Sequence, residues 1–503
     1  MEIPLMCLHM APNTPWDWNY TTVPLTGLNG ASLSYPRGHV LGGTSSINCE
    51  VYTRGSSADW DRYATYTGDS GWSWKNILPY FKKSEKFTAP SDQHNITGDF
   101  NPSAHGFGGF LSVSLAGAPT PVDALFTEAI GQLDGEFVAN EDINSGSQLG
   151  FGWSQSTIDG PSGSRSSSSA AYLHPVLQRP NLHVLVNAQV SRILRNGSKK
   201  GLPSFLEVEY RVNGSGPLLT VTASKEIILS AGSINTPQIL MNSGIGDSQK
   251  LSAVGIQSVN LSDHPLVVLP FLVNSTATYD DFNRNATLVA QETQVWERTR
   301  KGPFVNGLTQ HMGIPIFETA PNPAAGTNSP HFEIFLANFL PAASPPNTHF
   351  VSIAAIMLTP GSTSRGSVNI TSSDPFSHPS IDAGLFMSST DIPIMREALR
   401  SILCLASAPA WDGPSQPGVN ATDADIDAYI LASTSSAYHV VGTSAMAGLG
   451  QSGGVVDSKL RLKNVSGVRI VDASVLPFVP GGHTSAPTYA VAERAADLIK
   501  SDY

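Results

Sequence analysis

At 503 residues the chain is too long for one small core, and two domains are expected. Its formal net charge of −11 argues against nucleic acid or an anionic membrane surface as a partner. No apolar run approaches the roughly 20 residues that cross a bilayer, and Cys7, Cys49 and Cys404 are too scattered for a metal site or a disulfide framework.

The opening MEIPLMCLHMAPNTPWDWNY has no basic n-region and no clean apolar h-region, so it does not read as a signal peptide. N-x-[ST] sequons nevertheless stand at Asn19, Asn95, Asn196, Asn213, Asn260, Asn274, Asn285, Asn369, Asn420 and Asn464, the pattern of a secreted glycoprotein. Either the chain is not secreted or its true beginning lies upstream of Met1.

The first dense motif is YPRGHVLGGTSSIN at Tyr35–Asn48. Gly42 and Gly43 allow close backbone approach, and Thr44–Ser46 follow as cap residues, so the loop suits a phosphate or a cofactor edge. A helix follows with Ser57 as its cap and Asp59, Trp60 and Tyr63 at helical spacing. GWSWKNILPYFKKSE reads as another amphipathic helix, and residues 88–165 read as loop-rich. His183–Val186 with Val190 and Ile193 are expected in a buried strand. Ile227–Leu229, Ala231-Gly232 and a helix from Thr236-Pro237 to Gly244 give the strand–glycine–helix order of nucleotide-binding α/β domains.

From about 256 to 436 prolines and sequons increase, and PHFEIFLANFL, FVSIAAIML and RGSVNI read as strands of a second, mostly antiparallel sheet. Asp391–Ala406 and Asp423–Leu431 read as helices. SSAYHVVGTSAMAG then carries His439 behind Tyr438. The last unit runs from the strand residues Val468, Ile470 and Val471 through a Pro/Gly corner with His483 to a helix. Thr484 and Ser485 are its caps, Pro487 sits in its first turn, and Ala490, Val491, Ala495, Ala496 and Ile499 form its apolar face. A helix N-terminus beside a histidine stabilises an anion. His9, His39, His94, His105, His174, His264, His349 and His378 are expected to be structural or exposed, and Asp263–Pro265 a turn.

YPRGHVLGGTSSIN, GSINTPQILMNSGIG and the pair YHVVGTSAM … VDASVLPFVPGGHTSAPTYAVAERAADLI resemble the glucose–methanol–choline (GMC) oxidoreductases over essentially the whole chain. TGDSGWSW, SGSRSSSSAAYL, NLHVLVNAQV and LSDHP resemble the fungal aryl-alcohol oxidase branch. The resemblance implies an α/β (α+β) fold class. An FAD-binding doubly wound domain would cover 1–255 and 437–503, and a substrate-binding domain with a mostly antiparallel sheet and flanking helices would cover 256–436. No G-x-G-x-x-G strand–helix turn precedes Tyr35, so the first βαβ unit of that domain is expected to be missing, and the stretch GIQSVNLSDHP is shorter than its family counterpart.

The resemblance further implies that His439 is the catalytic base and His483 its partner. Val40, Gly43, Asn48, Cys49, Glu50 and Val51 would line the isoalloxazine and pyrophosphate. The backbone of Val190 would meet the adenine, Asp472 and Ala473 the ribityl side, and Thr484 and Ser485 the flavin pyrimidine. Ser45-Ser46-Ile47-Asn48 stands where some relatives carry a flavin-linked histidine, so FAD is expected to be non-covalent. Where the aryl-alcohol branch has an aromatic near Asn48, this chain has Cys49, which leaves Tyr438 and Phe339 as aromatic pocket walls.

The implied activity is oxidation of a primary, aromatic or allylic, alcohol to the aldehyde. His439 would take the hydroxyl proton, hydride would pass to flavin N5, and O₂ or a quinone would be the acceptor. Hydroxynitrile lyase chemistry on the same site is one alternative, and an inactive remnant that binds FAD poorly is another. The expected protein is secreted, monomeric and free of metal, with a small alcohol as its partner.

Overall fold

The described strands form one large antiparallel sheet and several smaller sheets. A computed structural model describes residues 1–246, 254–255, 261–315, 330–340, 345–359, 364–411, 420–448, 451 and 453–503. Residues 256–260, in the stretch read as short, lie outside the described residues.

Helix α1, Ser57–Thr67, starts one residue earlier than expected: Ser56 is the cap, in a capping box with Asp59. It buries Trp60 and Tyr63 against α2, Trp74–Ser84. The segment read as loop-rich contains α3, Pro121–Gln132, opened by a Thr120–Asp123 capping box with Pro121 in its first turn. The short strand β1, Gly150–Trp153, follows it.

His183–Val186 are not a buried strand. Val184, Leu185 and Val186 are 39%, 60% and 49% exposed. The chain turns at Asn187 in a left-handed conformation, φ 53°, and pairing begins only with β2, Ala188–Lys199. With β3, Leu202–Val212, and β4, Leu219–Thr222, it forms a three-stranded antiparallel sheet.

The expected doubly wound domain shows only short parallel pairs among the described residues, and one of them frames the α/β unit of the site. The strands of that pair are β5, Ile227–Leu229, and β11, Val468–Ile470, in the register Ile227 to Val468. Helix α4 follows β5 and spans Gly232–Asn242, so it begins before the expected Thr236-Pro237. Pro237 inside the helix cannot donate to the carbonyl of Ser233. That carbonyl accepts instead from Thr443 Oγ1 at 2.7 Å, which offsets the missing bond. Asp472, at the end of β11, accepts from the Gly232 N–H at 2.9 Å and from Thr236 Oγ1 at 2.6 Å. One carboxylate thus ties both halves of the α/β unit together.

The larger sheet has six strands, all paired antiparallel, and is the flanked sheet anticipated for the central region. Its strands are β1, β6 (Pro265–Val273), β7 (His311–Ile314), β8 (Phe332–Ala337), β9 (His349–Met357) and β10 (Ser435–Ser436), in the spatial order β10-β6-β9-β8-β7-β1. Strand β8 is buried along its whole length, as a central strand covered on both faces must be. Helix α5, Ala286–Thr299, precedes β7 in the chain, and helix α6, Asp391–Ala406, packs on β9 with Ile394, Met395, Ala398, Leu399, Ile402 and Leu405 buried at helical spacing, each large side chain contributing roughly 1.5–3 kcal/mol. Helix α7, Asp423–Ser433, packs beside it. The C-terminal helix α8, Ser485–Asp502, lies on α2 with Ala486, Ala490, Val491 and Ala495 buried.

Candidate active site

His439 reaches its position through a local antiparallel pairing. The segment after β10 runs beside the start of β6: Ala437 N–H donates to His264 O at 2.9 Å, and Ser262 and Val441 exchange bonds of 3.1 and 2.9 Å. Between these contacts Tyr438 takes φ 63°. That kink sets His439 opposite His264 instead of continuing the ladder. The carboxylate of Asp263 fixes the corner. Its Oδ1 accepts the backbone N–H of His264 at 2.8 Å and of His439 at 2.7 Å. Its Oδ2 accepts the hydroxyls of Tyr35 and Ser436, both at 2.5 Å. Burial raises the Asp263 carboxyl above the usual carboxylate range, with the Ser436 and Tyr35 hydroxyls pulling the other way.

His483 is placed by the corner Pro480–Gly482 in front of α8. Gly481 N–H donates to Asp59 Oδ2 at 3.0 Å, and His483 N–H donates to Thr53 Oγ1 at 2.7 Å. A side chain at Gly482 would come within 2.7 Å of Thr53 Oγ1, so only glycine lets the corner close on that hydroxyl. His483 Nε2–H donates to Oε1 of Glu333 on β8 at 2.9 Å. The other oxygen of Glu333 is buried with no hydrogen-bond partner among the described residues.

The two corners bring the imidazoles together. The rings of His439 and His483 lie 4.5 Å apart, centroid to centroid, at 69°. His264 also meets His439, with its ring 5.2 Å away at 86° and the two Nδ1 atoms 3.0 Å apart. Burial first, then the charge of His483, holds His439 well below the ordinary imidazole range, and burial pushes His264 down to about 3. The pair is therefore a neutral, desolvated imidazole facing a second imidazole backed by a buried carboxylate. Such a pair can accept a proton and polarise an oxygen.

The remaining expected residues fall into several places. Val40 O accepts the Gly43 N–H at 2.8 Å in a tight turn, and Gly43–Ser46 form one 3₁₀ turn without the side-chain cap foreseen there. Arg165 Nη1 donates to Asn48 O at 2.6 Å, and Arg165 pairs with the buried Glu50 carboxylate at 2.8 Å. Burial raises the Glu50 carboxyl well above its usual range. Cys49 is half-buried, and Val51 lies in a two-residue strand paired with Ser156. Ala473 follows Asp472 in a short 3₁₀ turn. Thr484 and Ser485 open α8, where Thr484 occupies the cap position but makes no side-chain cap bond. Tyr438, 39% exposed, meets the ring of Tyr35 edge-on at 6.3 Å. Val190 is half-buried in β2, and Phe339 sits apart in an apolar cluster with Leu5, Tyr279 and Phe304.

Three residues that touch the pair were not foreseen. His264 was read as structural and Asp263 as part of a turn, and both are bonded to His439. Glu333 was passed over inside PHFEIFLANFL, although a carboxylate in a wholly buried strand needs a partner. No group of three or more His, Cys, Asp or Glu residues suited to a metal is found among the described residues. No described helix is long and apolar enough to cross a membrane.

Two family profiles, both described as GMC oxidoreductase, match residues 10–266 and 362–492. The chain is 40% identical to pyranose dehydrogenase 3 of Leucoagaricus meleagris over 98% of this chain and 85% of that protein. A solved FAD-dependent oxidoreductase from Chaetomium thermophilum superimposes with a TM-score of 0.85 at 27% identity, covering 100% of this chain and 92% of the other. A solved fungal aryl-alcohol oxidase shares the fold, with a TM-score of 0.84 at 24% identity over 100% of this chain and 93% of that one. The ring end of FAD fits the residues present. Among the described residues the first turn of α8 has no side-chain cap beside His483, the space in front of Gly43 is open, and one oxygen of Glu333 has no hydrogen-bond partner.

Proposed function

This chain belongs to the GMC oxidoreductase family, FAD-dependent enzymes that act on CH–OH groups, and from that premise we propose that it oxidises a primary alcohol, aromatic or allylic, to the aldehyde. FAD, when bound, supplies the hydride acceptor. The substrate hydroxyl lies between His439 and His483. His439 takes its proton as general base, an assistance worth roughly 10²–10⁴ in rate. His483, held by Glu333, binds the oxygen as the carbonyl forms. Val40, Gly43, Asn48, Cys49, Glu50, Val51, Asp472, Ala473, Thr484 and Ser485 hold FAD without a covalent link, with Val190 at its adenine. Tyr438 borders the substrate. The final acceptor is O₂ or a quinone.

The observation that carries this reading is the 4.5 Å approach of a neutral, buried His439 to His483. The test is turnover of benzylic and allylic alcohols by the FAD-loaded chain, with peroxide and quinone reduction followed separately. Aldehyde formation with either acceptor is the expected result, and no turnover of any alcohol contradicts it. A second reading, oxidation of an aldopyranose, is favoured by the 40% identity to a pyranose dehydrogenase. Aldopyranoses belong in the same panel, and turnover of sugars alone selects that reading.

Secretion is the proposed destination. Asn19, Asn95, Asn196, Asn213, Asn274, Asn285, Asn420 and Asn464 are exposed, as glycan acceptors must be. The chain acts as a monomer, with residues 1–255 and 437–503 binding FAD and 256–436 the substrate.

A further inference from the structure

His439 Nδ1 faces another imidazole nitrogen, and the surrounding acceptors decide which of the two carries the hydrogen. The chain starts at a group that only accepts. His264 Nε2 lies 3.1 Å from the main-chain carbonyl oxygen of Leu358, so Nε2 must carry a hydrogen. A neutral imidazole has one N–H, which leaves His264 Nδ1 bare. That bare nitrogen lies 3.0 Å from His439 Nδ1. Two lone pairs do not face each other at that distance in a buried site, so His439 Nδ1 carries the hydrogen and donates it. His439 is neutral too, and its Nε2 is then the bare nitrogen. The backbone holds this register, because Asp263 Oδ1 accepts the N–H of both residues. The near-perpendicular rings suit an in-plane N–H aimed at an in-plane lone pair.

We infer that His264 is a positioning residue that locks His439 in its Nδ1–H tautomer, so that Nε2 is the atom that takes the substrate proton. The inference rests on His439 being the base, and it adds the reason one ring nitrogen is always available. When Nε2 takes the proton, the positive charge that forms is shared along Nδ1–H toward His264 Nδ1, and the carbonyl of Leu358 anchors the other end. The lone pair of His264 is thus the acceptor of that hydrogen bond before and after the transfer. His264 touches neither substrate nor cofactor in this scheme.

The test is ¹⁵N NMR of imidazole-labelled, FAD-loaded full chain, which reports directly which ring nitrogen of His439 is protonated. Wild type is expected to show Nδ1–H and a bare Nε2. His264→Asn puts an amide oxygen close to where Nδ1 was and keeps the tautomer. His264→Leu, of similar size but without an acceptor, releases His439 to the Nε2–H form or to a mixture. With the alcohol found to be a substrate, His264→Leu lowers kcat by roughly 10-fold to 10⁴-fold, the ceiling being full loss of the base, with KM little changed and His264→Asn restoring most of the rate. An Nε2–H signal for His439 in wild type overturns the inference, and that spectrum needs no variant to fold. An unchanged Nδ1–H signal in His264→Leu overturns it as well. A correct tautomer pattern in a chain that oxidises no alcohol upholds the lock and removes the proposed function instead.

Discussion

Oε1 of Glu333 lies 2.9 Å from Nε2 of His483, a fully buried carboxylate behind a half-buried imidazole. The contact joins the central strand of the large sheet to the corner in front of the last helix, and so couples the two regions that meet at the histidine pair. A charged acceptor makes the stronger bond, roughly twice a neutral one. Glu333→Gln keeps the shape and a weaker bond. Its expected effect is a loss of kcat of about tenfold, equivalent to about 1.4 kcal/mol, with the fold retained. Steady-state kinetics on the best alcohol checks this, and an unchanged kcat contradicts it.

Asp263 gathers four donors, and two of them are the backbone N–H groups of His264 and His439. Asp263→Asn turns an acceptor into a donor against the hydroxyls of Tyr35 and Ser436. The expected cost is about 3 kcal/mol, read as a lower thermal midpoint together with lost turnover. A variant with the wild-type midpoint would show that the corner does not depend on this carboxylate.

Beneath Thr53, which holds His483, lies a buried charge network. Arg54 Nη2 meets Glu85 Oε2 at 2.7 Å, and His105 bridges Glu85 Oε1 at 2.9 Å and Asp142 Oδ2 at 2.7 Å. Arg54 and Glu85 have no exposed side-chain surface. Arg54→Met removes the guanidinium that meets Glu85 Oε2 and leaves the buried carboxylate with His105 and the Gly106 N–H, and breaking such a pair costs about 3–5 kcal/mol. Denaturant unfolding measures this. A loss under about 1 kcal/mol would contradict it.

His311 on β7 gives the acid limb of stability. It lies against Trp153, with ring centroids 4.0 Å apart, and its Nε2 is 3.8 Å from the Asp123 carboxylate. Burial pushes its pKa down to about 3, against about 6.5 in an unfolded chain. Above pH 6.5 neither state binds this proton and the group contributes nothing. Below it the unfolded chain takes the proton and the fold does not, so stability falls as pH drops toward 3. Between pH 6 and 5 wild type is expected to lose about 1 kcal/mol more than His311→Gln. Denaturant titrations at the two pH values measure the difference, and parallel curves contradict the assignment.

How much of this was legible in the chain depends on whether the signal was local. His439 and His483 stood out because each lies in a short motif whose glycines, prolines and small residues force a corner. The C-terminal strand–corner–helix unit and Asp391–Ala406 were legible for the same reason: periodicity and breakers are local. Helix α3 carried a readable signal in Thr120, Pro121 and Asp123 that went unused. His183–Val186 misled because an apolar β-branched run suits a buried strand, yet Asn187 turns before pairing begins. His264 and Asp263 were illegible for another reason. Their partner His439 is 175 residues away from His264, and only the pairing of β6 with the segment after β10 brings them into contact. Glu333 could have been found from its charge alone within an apolar strand, but its partner His483, 150 residues on, could not.

The most direct test of His439 as the base is the single-turnover rate of the FAD-loaded His439→Ala chain with an alcohol that wild type oxidises, followed without O₂. Bound FAD is checked in the same cuvette by its absorbance. A rate lower by about 10²–10⁴ with FAD still bound is the predicted result. A variant that keeps its FAD and consumes the alcohol at the wild-type rate would show that the proton goes elsewhere.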